Sequence, residues 1–445
     1  MEARLGSPGP WGMRVAGICR RSIALPALIA LLAAILAAPT PLGAQAPDGF
    51  RRFLEALWPD VQAMGVSRAT FDLAFRGVEP DLSLPDLVLP GGGEVKGQAE
   101  FTKTPAQYVS APYLAKLADQ GKALQVQHGS WLAKIERDLG VQRQFVLAIW
   151  GRETAFGAHR SQHYVIRALA TQAYLGRRKE LFRSELIFAL RMLQDGARTR
   201  ETMTGSWAGA MGLSQFMPSE YYTMAYDLDG DGRKDIWTSV ADALGSAANQ
   251  LRAKGWAPDQ SWGYEVRLPK GTTCVLEGQD HARPLRDWVK LGVTRTTGEF
   301  PAAALEAQAF ILAPAGGHGP VFLALENFLV IKRYNMSDLY ALFVGNLGDR
   351  IAGGGNFDTP WGDVRQLSAK GIEEIQAKLQ ALGYAVAKVD GKAGMNTRAL
   401  VGAYQQANGL KTDCWPSEAV LGHLRGKTAA RGAAAGEQSG LGAKK

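Results

Sequence analysis

FVLAIWGRETAFG, residues 145–157, is the stretch that decides the fold: a hydrophobic run ending in one carboxylate, Glu153, among apolar and aromatic neighbours. Val146, Ile149 and Trp150 recur at the spacing that puts them on one helical face. Glu153 takes the next step along that stripe, where a core helix ordinarily places another apolar residue. A carboxyl held against Trp and Ile loses hydration, so its charged form is disfavoured and its pKa rises. Such a glutamate stays protonated near neutral pH and can give a proton to a leaving group. On this stretch alone a second reading also stands, a helix-end Glu pointing to water beside Arg152.

On the N-terminal side, residues 50–145 read as helical. Phe53, Leu54 and Leu57, then Phe71, Leu73 and Phe75, form apolar groups, and Pro80–Gly97 is a Pro/Gly-rich connector. A helical pair covers Tyr113–Leu124 and Trp131–Leu139, with Gly140 as its stop signal. On the C-terminal side come Val165–Tyr174 and the long amphipathic segment Arg178–Asp195. A second unusual stretch follows, GSWAGAMGLSQFMPSEYY, residues 205–222. Gly205, Gly209 and Gly212 permit a bent backbone and close approach by a ligand. Trp207, Phe216, Tyr221 and Tyr222 offer flat apolar faces, while Ser206 and Gln215 offer hydrogen-bonding groups, the mixture a carbohydrate cleft requires. A Gly-rich loop capping a helix, with its aromatics in the core, would read the same way.

Directly after it, Asp227, Asp229 and Asp231 stand at positions 1, 3 and 5 of a calcium-loop pattern, with Gly232 at 6, Arg233 at 7 and Asp235 at 9. Position 12 is Thr238 instead of a bidentate Glu, and Asp242 could close the shell if the chain turns back. An Asp/Gly-rich turn without metal is the plainer reading. From Ser261 to Leu325 the pattern changes to short alternating runs at Tyr264–Leu268, Thr273–Leu276, Ala307–Leu312 and Val321–Leu325, a small β-rich insertion. Helical character returns over Glu326–Val344, with Ser337 as the N-cap of its second half. Gly353–Gly355 and Asp358–Pro360 read as a linker. The last ordered unit, Leu367–Leu424, places Ile372, Ile375, Leu379 and Leu382 on a helical face. It turns at Asp390-Gly391 and ends on a helix at Thr397–Asn408.

Length and composition bound these readings. The chain has 445 residues, 46% of them hydrophobic, which suits a globular protein of two or three domains. Arg14, Arg20 and Arg21, the apolar run Ile23–Ala38 and Ala44-Gln45-Ala46 read as a secretory signal over residues 1–46. Cys19 precedes the apolar core, so no lipoprotein anchor is expected. The formal charge is +8, but the first 46 residues and the tail from Arg425 hold most of it. No basic patch interleaves with aromatics, so nucleic acid is a poor partner. Cys274 and Cys414 remain after signal removal, and their spacing leaves pairing open.

Three segments together resemble the exported lytic murein transglycosylases of the B type: Ile149–Gly157 (IWGRETAFG), Gly209–Pro218 (GAMGLSQFMP) and Asp229–Trp237 (DGDGRKDIW), continuing through Asn327–Asn335 (NFLVIKRYN). The final unit, with Gln376, Leu379–Tyr384, Asp390-Gly391, Thr397 and Tyr404-Gln405, resembles the three-helix peptidoglycan-binding module. The resemblance implies a mainly α, α+β architecture: a goose-lysozyme-like helical catalytic core over 47–350, with its β-rich insertion near 261–325. A linker over 351–366, a binding module over 367–424 and a disordered basic tail over 425–445 complete it. It implies Glu153 as the single acid/base. Ser206, Gly209, Met211 and Gln215 would line sugar subsites, with Tyr334, Tyr340 and Tyr108 beside them. One tyrosine the family often has is replaced here by Gln250. Asp227, Asp229, Asp231, Arg233 and the late ligand Asp242 would form a structural calcium site, with no organic cofactor.

The activity implied is cleavage of the β-1,4 bond between N-acetylmuramic acid and N-acetylglucosamine with closure of a 1,6-anhydro ring. Peptidoglycan glycan strands are the implied partner, without nucleic acid or a stable membrane anchor, in an exported, periplasmic protein. Two rivals stay open: a muramidase of the same fold that uses water, and a non-catalytic wall-binding scaffold.

Overall fold

The run from Phe145 to Gly151 contains no residue suited to water, and the helix it forms, Arg143–Thr154, is buried all round rather than along one stripe. The computed structural model describes residues 45–89, 102–270 and 273–428. The expected secretory signal up to residue 44 and most of the expected tail therefore lie outside the described residues. The chain divides into a short unit, 1–51, of which 45–51 are helical, and a body, 52–445. No helix among the described residues is long and apolar enough to cross a membrane.

In the body, helices Ala111–Gln127, Gly129–Leu139, Val240–Ala253 and Asp338–Ile351 share one core with the Glu153 helix. Gly140 ends its helix in the left-handed region, φ 67°, as its position in the sequence suggests. Two helices approach unusually closely because glycines remove the side chains between them. A Cβ at Gly348 would stand 2.6 Å from the Phe145 ring, and one at Gly151 would stand 2.7 Å from Phe156 and 3.2 Å from Leu347. Gly345 lies under the Trp262 indole in the same way, 2.6 Å from a built Cβ.

The insertion is a five-stranded antiparallel sheet in the order Arg283–Pro284, Gln308–Leu312, Val321–Ala324, Gly263–Arg267, Thr294–Arg295. Alternation sorts its side chains into two cores. Phe310, Leu312, Phe322 and Ala324 join the helical core, while Ala309, Ile311 and Leu323 build a second one with Leu285, Trp288 and Val293. The expected strand at Thr273–Leu276 is instead a short 3-10 turn, Cys274–Leu276. The Thr273 side chain accepts from the Val275 amide and so winds the backbone up.

Segment 353–367 has no helix or strand, yet it is strapped to this sheet. Phe357 packs edge-on against Phe322 at 4.9 Å, and Glu265 accepts from the amides of Asp358 (2.8 Å) and Thr359 (2.7 Å). The C-terminal module consists of helices Ala369–Ala381, Met395–Ala407 and 418–428. The third runs four residues beyond the expected onset of the disordered tail, since Thr428 bonds Lys378 and the carbonyl of Leu424. Gln376 serves the module as a hub: its Oε1 accepts from Asp390 and Gly391 amides, and its amide donates to Asp390, the Lys392 carbonyl and Thr397. Cys274 and Cys414 pair, tying the insertion to the module, and Gly402 makes room, since a Cβ there would lie 2.3 Å from the Cys414 sulfur.

Two stability outcomes follow from this packing. Gly348→Ala should lower unfolding stability by about 1–3 kcal/mol, read as a shifted urea midpoint, because the added methyl must displace the Phe145 ring. The second concerns Asp349, which accepts from Trp262 Nε1 at 2.8 Å and whose carboxyl burial pushes up to about 7. The folded state then keeps a proton that the unfolded chain releases from pH 4 upward, so stability falls between about pH 4 and 7 and levels off above. Asp349→Asn should match the parent near pH 4 and exceed it by on the order of 4 kcal/mol at pH 8. Parallel stability curves for the two proteins would refute this.

Candidate active site

Glu153 sits one residue before the end of its helix, where the backbone turns sharply. Ala155, Phe156 and Gly157 are all left-handed, with φ of 47°, 58° and 85°. Two of these are non-glycine residues, a costly conformation that clusters at functional sites. Thr154 pins the turn to the glycine-rich segment: its hydroxyl donates to the Leu213 carbonyl at 3.1 Å and accepts from the Gly157 amide at 3.1 Å. The side chain of Glu153 is half-buried.

One wall beside it is aromatic. The Tyr340 hydroxyl donates to Glu153 Oε1, and the Tyr334 ring stacks on Tyr340 at 6.4 Å with planes 14° apart. Tyr334 donates in turn to the Ser214 carbonyl at 2.7 Å, bringing the glycine-rich segment to the same wall. Burial, then the nearby Glu153 charge, holds both phenols well above the ordinary tyrosine range, so each is a fixed hydrogen donor. Tyr108 packs edge-on to Phe343, and the Arg152 guanidinium lies over the rings of Tyr108, Tyr340 and Phe343 at 5.2, 5.6 and 5.3 Å while donating to the Tyr108 hydroxyl. Arg152, in sequence only the neighbour of Glu153, is thus part of the wall. An arginine inside an otherwise apolar helix was the signal for it.

The glycine-rich segment is a tight loop. Ser206 closes it, its hydroxyl accepting from Ala208 (3.3 Å) and Ala210 (3.0 Å) amides. Gly209 has φ 87° and touches Leu169, where a Cβ would lie 2.4 Å from Cδ2. Gln215, left-handed at φ 53° and half-buried, donates its amide to the Gly212 carbonyl at 2.8 Å. Met211 is fully buried and exchanges backbone hydrogen bonds with Phe216, so its side chain supports the loop from within. The structure therefore brings Glu153, Tyr334, Tyr340 and the Leu213–Gln215 backbone together, with Tyr108 behind Arg152.

Glu220 is the carboxylate nearest in sequence to this loop, and it is engaged. It accepts from the Met217 amide (3.1 Å), Gln250 Nε2 (2.6 Å) and Lys254 Nζ (3.4 Å). Gln250, standing where a tyrosine was expected by resemblance, is fully buried and serves as this carboxylate's donor. Lys254 also lies over the Tyr334 ring at 5.2 Å.

Asp227, Asp229, Asp231 and Asp242 each offer a carboxylate oxygen, and these lie within 4.8 Å of one another. Asp242 comes from the helix after the loop and is 1% exposed; burial, and then the Asp229 charge, raises its pKa. Four converging carboxylates, one of them buried, repel unless a cation neutralises them, and the oxygen-only donor set is that of a hard divalent ion. The loop is wound by its own acids: Asp227 accepts from Gly230 (2.7 Å) and Gly232 (2.9 Å), and Asp231 from the Arg233 amide (2.8 Å). A groove of about 770 Å³ lies elsewhere, between the module, the insertion and the Lys332–Leu339 segment; Glu153 is not among its lining residues.

Comparisons with known proteins agree with this fold. Residues 49–349 match the model of the Transglycosylase SLT domain, and residues 368–424 match that of a peptidoglycan binding domain. Membrane-bound lytic murein transglycosylase B of Escherichia coli K12 is 33% identical over 221 residues, 48% of this chain and 58% of that protein, so the chain spans little more than half of its length. The crystal structure of SltB3 from Pseudomonas aeruginosa in complex with NAG-anhNAM-pentapeptide is 40% identical, with a TM-score of 0.75 over 84% of this chain and 99% of that one. Soluble lytic transglycosylase SltB1 from the same organism is 26% identical, with a TM-score of 0.55 over 68% of this chain and 98% of that one.

Proposed function

The chain belongs to the Transglycosylase SLT domain family, and we propose that it cleaves the β-1,4 bond between N-acetylmuramic acid and N-acetylglucosamine in peptidoglycan, leaving 1,6-anhydromuramic ends. One observation carries the reading: a single half-buried carboxyl, Glu153, aimed by the Tyr340 hydroxyl at the edge of a tight glycine-rich loop. Glu153 protonates the glycosidic oxygen as an oxocarbenium-like centre develops at C1. The resulting carboxylate then takes the proton of the muramic C6 hydroxyl, which attacks C1 within the same sugar. Intramolecular attack supplies the positioning that an external water would lack.

Ordinary glycosidases need a second carboxylate as nucleophile or as base for water. Glu220 is a poor candidate because three donors already hold it. A complex of a relative with NAG-anhNAM-pentapeptide supports the anhydro outcome. The module at 368–424 supports peptidoglycan strands as the partner. Export to the periplasm is consistent with the 1–46 leader pattern and with the Cys274–Cys414 disulfide, which suits an oxidising compartment. Asp227, Asp229, Asp231 and Asp242, with the Arg233 carbonyl, would hold calcium and fasten the loop to the following helix; the ion takes no part in the bond cleavage.

Mass spectrometry of peptidoglycan digested by the protein and by Glu153→Gln tests the reaction. Anhydro muropeptides, lighter by one water than hydrolytic products and absent with the variant, are expected. Reducible muramic ends would make the protein a hydrolase, and binding without cleavage would make it a scaffold. Tyr340→Phe should lower kcat about 10- to 100-fold, the worth of one hydrogen bond to a charged group. Calcium at a hundredfold excess over its Kd should raise stability by about 2.7 kcal/mol in thermal unfolding. Asp229→Ala should abolish that gain, and a calcium-independent melting curve for the parent would exclude the site.

A further inference from the structure

We propose that Arg398, a residue of the C-terminal module, is a positioning residue for the reaction: it holds the first turn of helix Asp338–Ile351 and thereby sets Tyr340 against Glu153. The inference rests on Glu153 being the acid/base. Asp338 opens that helix and is buried, 8% exposed. Its Oδ2 accepts from Arg398 Nη2 and from the Met395 amide, both at 3.2 Å and both from the module, and its Oδ1 pairs with Lys332 at 2.7 Å. Ser337 caps the same turn by accepting from the Tyr340 amide at 3.3 Å. Tyr340, two residues after Asp338, then donates to Glu153.

Arg398 is itself fixed from two other sides. It is 2% exposed, pairs with both oxygens of Glu277 from the insertion at 3.0 Å (Nε–Oε2) and 2.5 Å (Nη2–Oε1), and donates from Nη1 to the Ala393 carbonyl at 2.6 Å. Glu277 also accepts from the Ala313 amide at 2.9 Å. Two carboxylates and two cations, all buried but for the half-buried Lys332, therefore form a charge-balanced cluster to which the catalytic body, the insertion and the module each contribute. Buried ion clusters add little net stability compared with apolar packing, whereas their directional bonds fix geometry. The chain just before this turn holds it through Lys332, which pairs with Asp338, and through Tyr334, which stacks on Tyr340, while Arg333, Asn335 and Met336 between and after them are exposed. The module's arginine, with the Met395 amide beside it, adds a second hold on the turn from across the interface.

Full-length Arg398→Met, Tyr340→Phe and the double variant, assayed for kcat and KM on soluble peptidoglycan fragments beside Glu153→Gln, test this. Arg398→Met should lower kcat about 10- to 100-fold, as Tyr340→Phe does, with KM changed less than about threefold. The double variant should be no slower than Tyr340→Phe alone, because both remove the same restraint. Arg398→Lys, which keeps the charge, should recover part of the loss. A wild-type kcat in Arg398→Met, or losses that multiply in the double variant, would overturn the proposal. If Arg398→Met does not fold by near-UV circular dichroism, Asp338→Asn takes its place in the same cycle with the same two readings. A parent protein that cuts no better than Glu153→Gln overturns the functional assignment instead, so the two failures are distinct.

Discussion

The rest of the structure depends on the close approach of two helices, Arg143–Thr154 and Asp338–Ile351. Phe145 meets Gly348 near one end and Glu153 meets Tyr340 at the other, so the pair runs antiparallel and in one register. The glycines at 151 and 348 keep them close; larger residues would push the helices apart and move the tyrosine off the carboxyl. The sheet braces this pair from behind, since Trp262 fills the space over Gly345 and reaches Asp349. The contact of Phe145 with Gly348 thus sets the spacing of Tyr340 and Glu153 at the far end of the pair.

Much of this was legible in the sequence, for reasons that differ by residue. The family motifs are short, local and chemically unusual: a glutamate ending an apolar helix, three glycines among aromatics, and acids at every second position. Ser337 as N-cap and Gly140 as helix stop follow from local hydrogen bonding and φ, and the structure shows both. Other features were not local. Thr273–Leu276 carries strand-like residues but is tied by Cys274 to a partner 140 positions away, which overrides propensity. The role of Arg398 depends on carboxylates at 277 and 338, and no window of sequence contains all three. Segment 351–366 has linker composition, yet Phe357 and the amides after it are held by the sheet.

Local strain and global bracing meet at the turn that follows Glu153. Two consecutive non-glycine residues in the left-handed region cost roughly 1–3 kcal/mol each. Thr154 and Leu213 fix the turn on one side, and the Phe156 ring lies against Gly151 on the other. The turn persists because the surrounding core holds it from both sides, and the carboxyl of Glu153 is presented at its rim rather than inside the helix bundle.

The Cys274–Cys414 bond has a topological consequence. It closes a covalent ring of chain that includes four of the five strands of the insertion, the Tyr334–Tyr340 wall, the strap and two helices of the module. A protease that severs the backbone once anywhere between those cysteines leaves a nicked protein still joined as one covalent molecule. A cut outside the ring, before residue 274 or after 414, can release a fragment. An exposed segment such as 352–356 can therefore be cut without separating the module's helices from the half of the chain that carries Glu153.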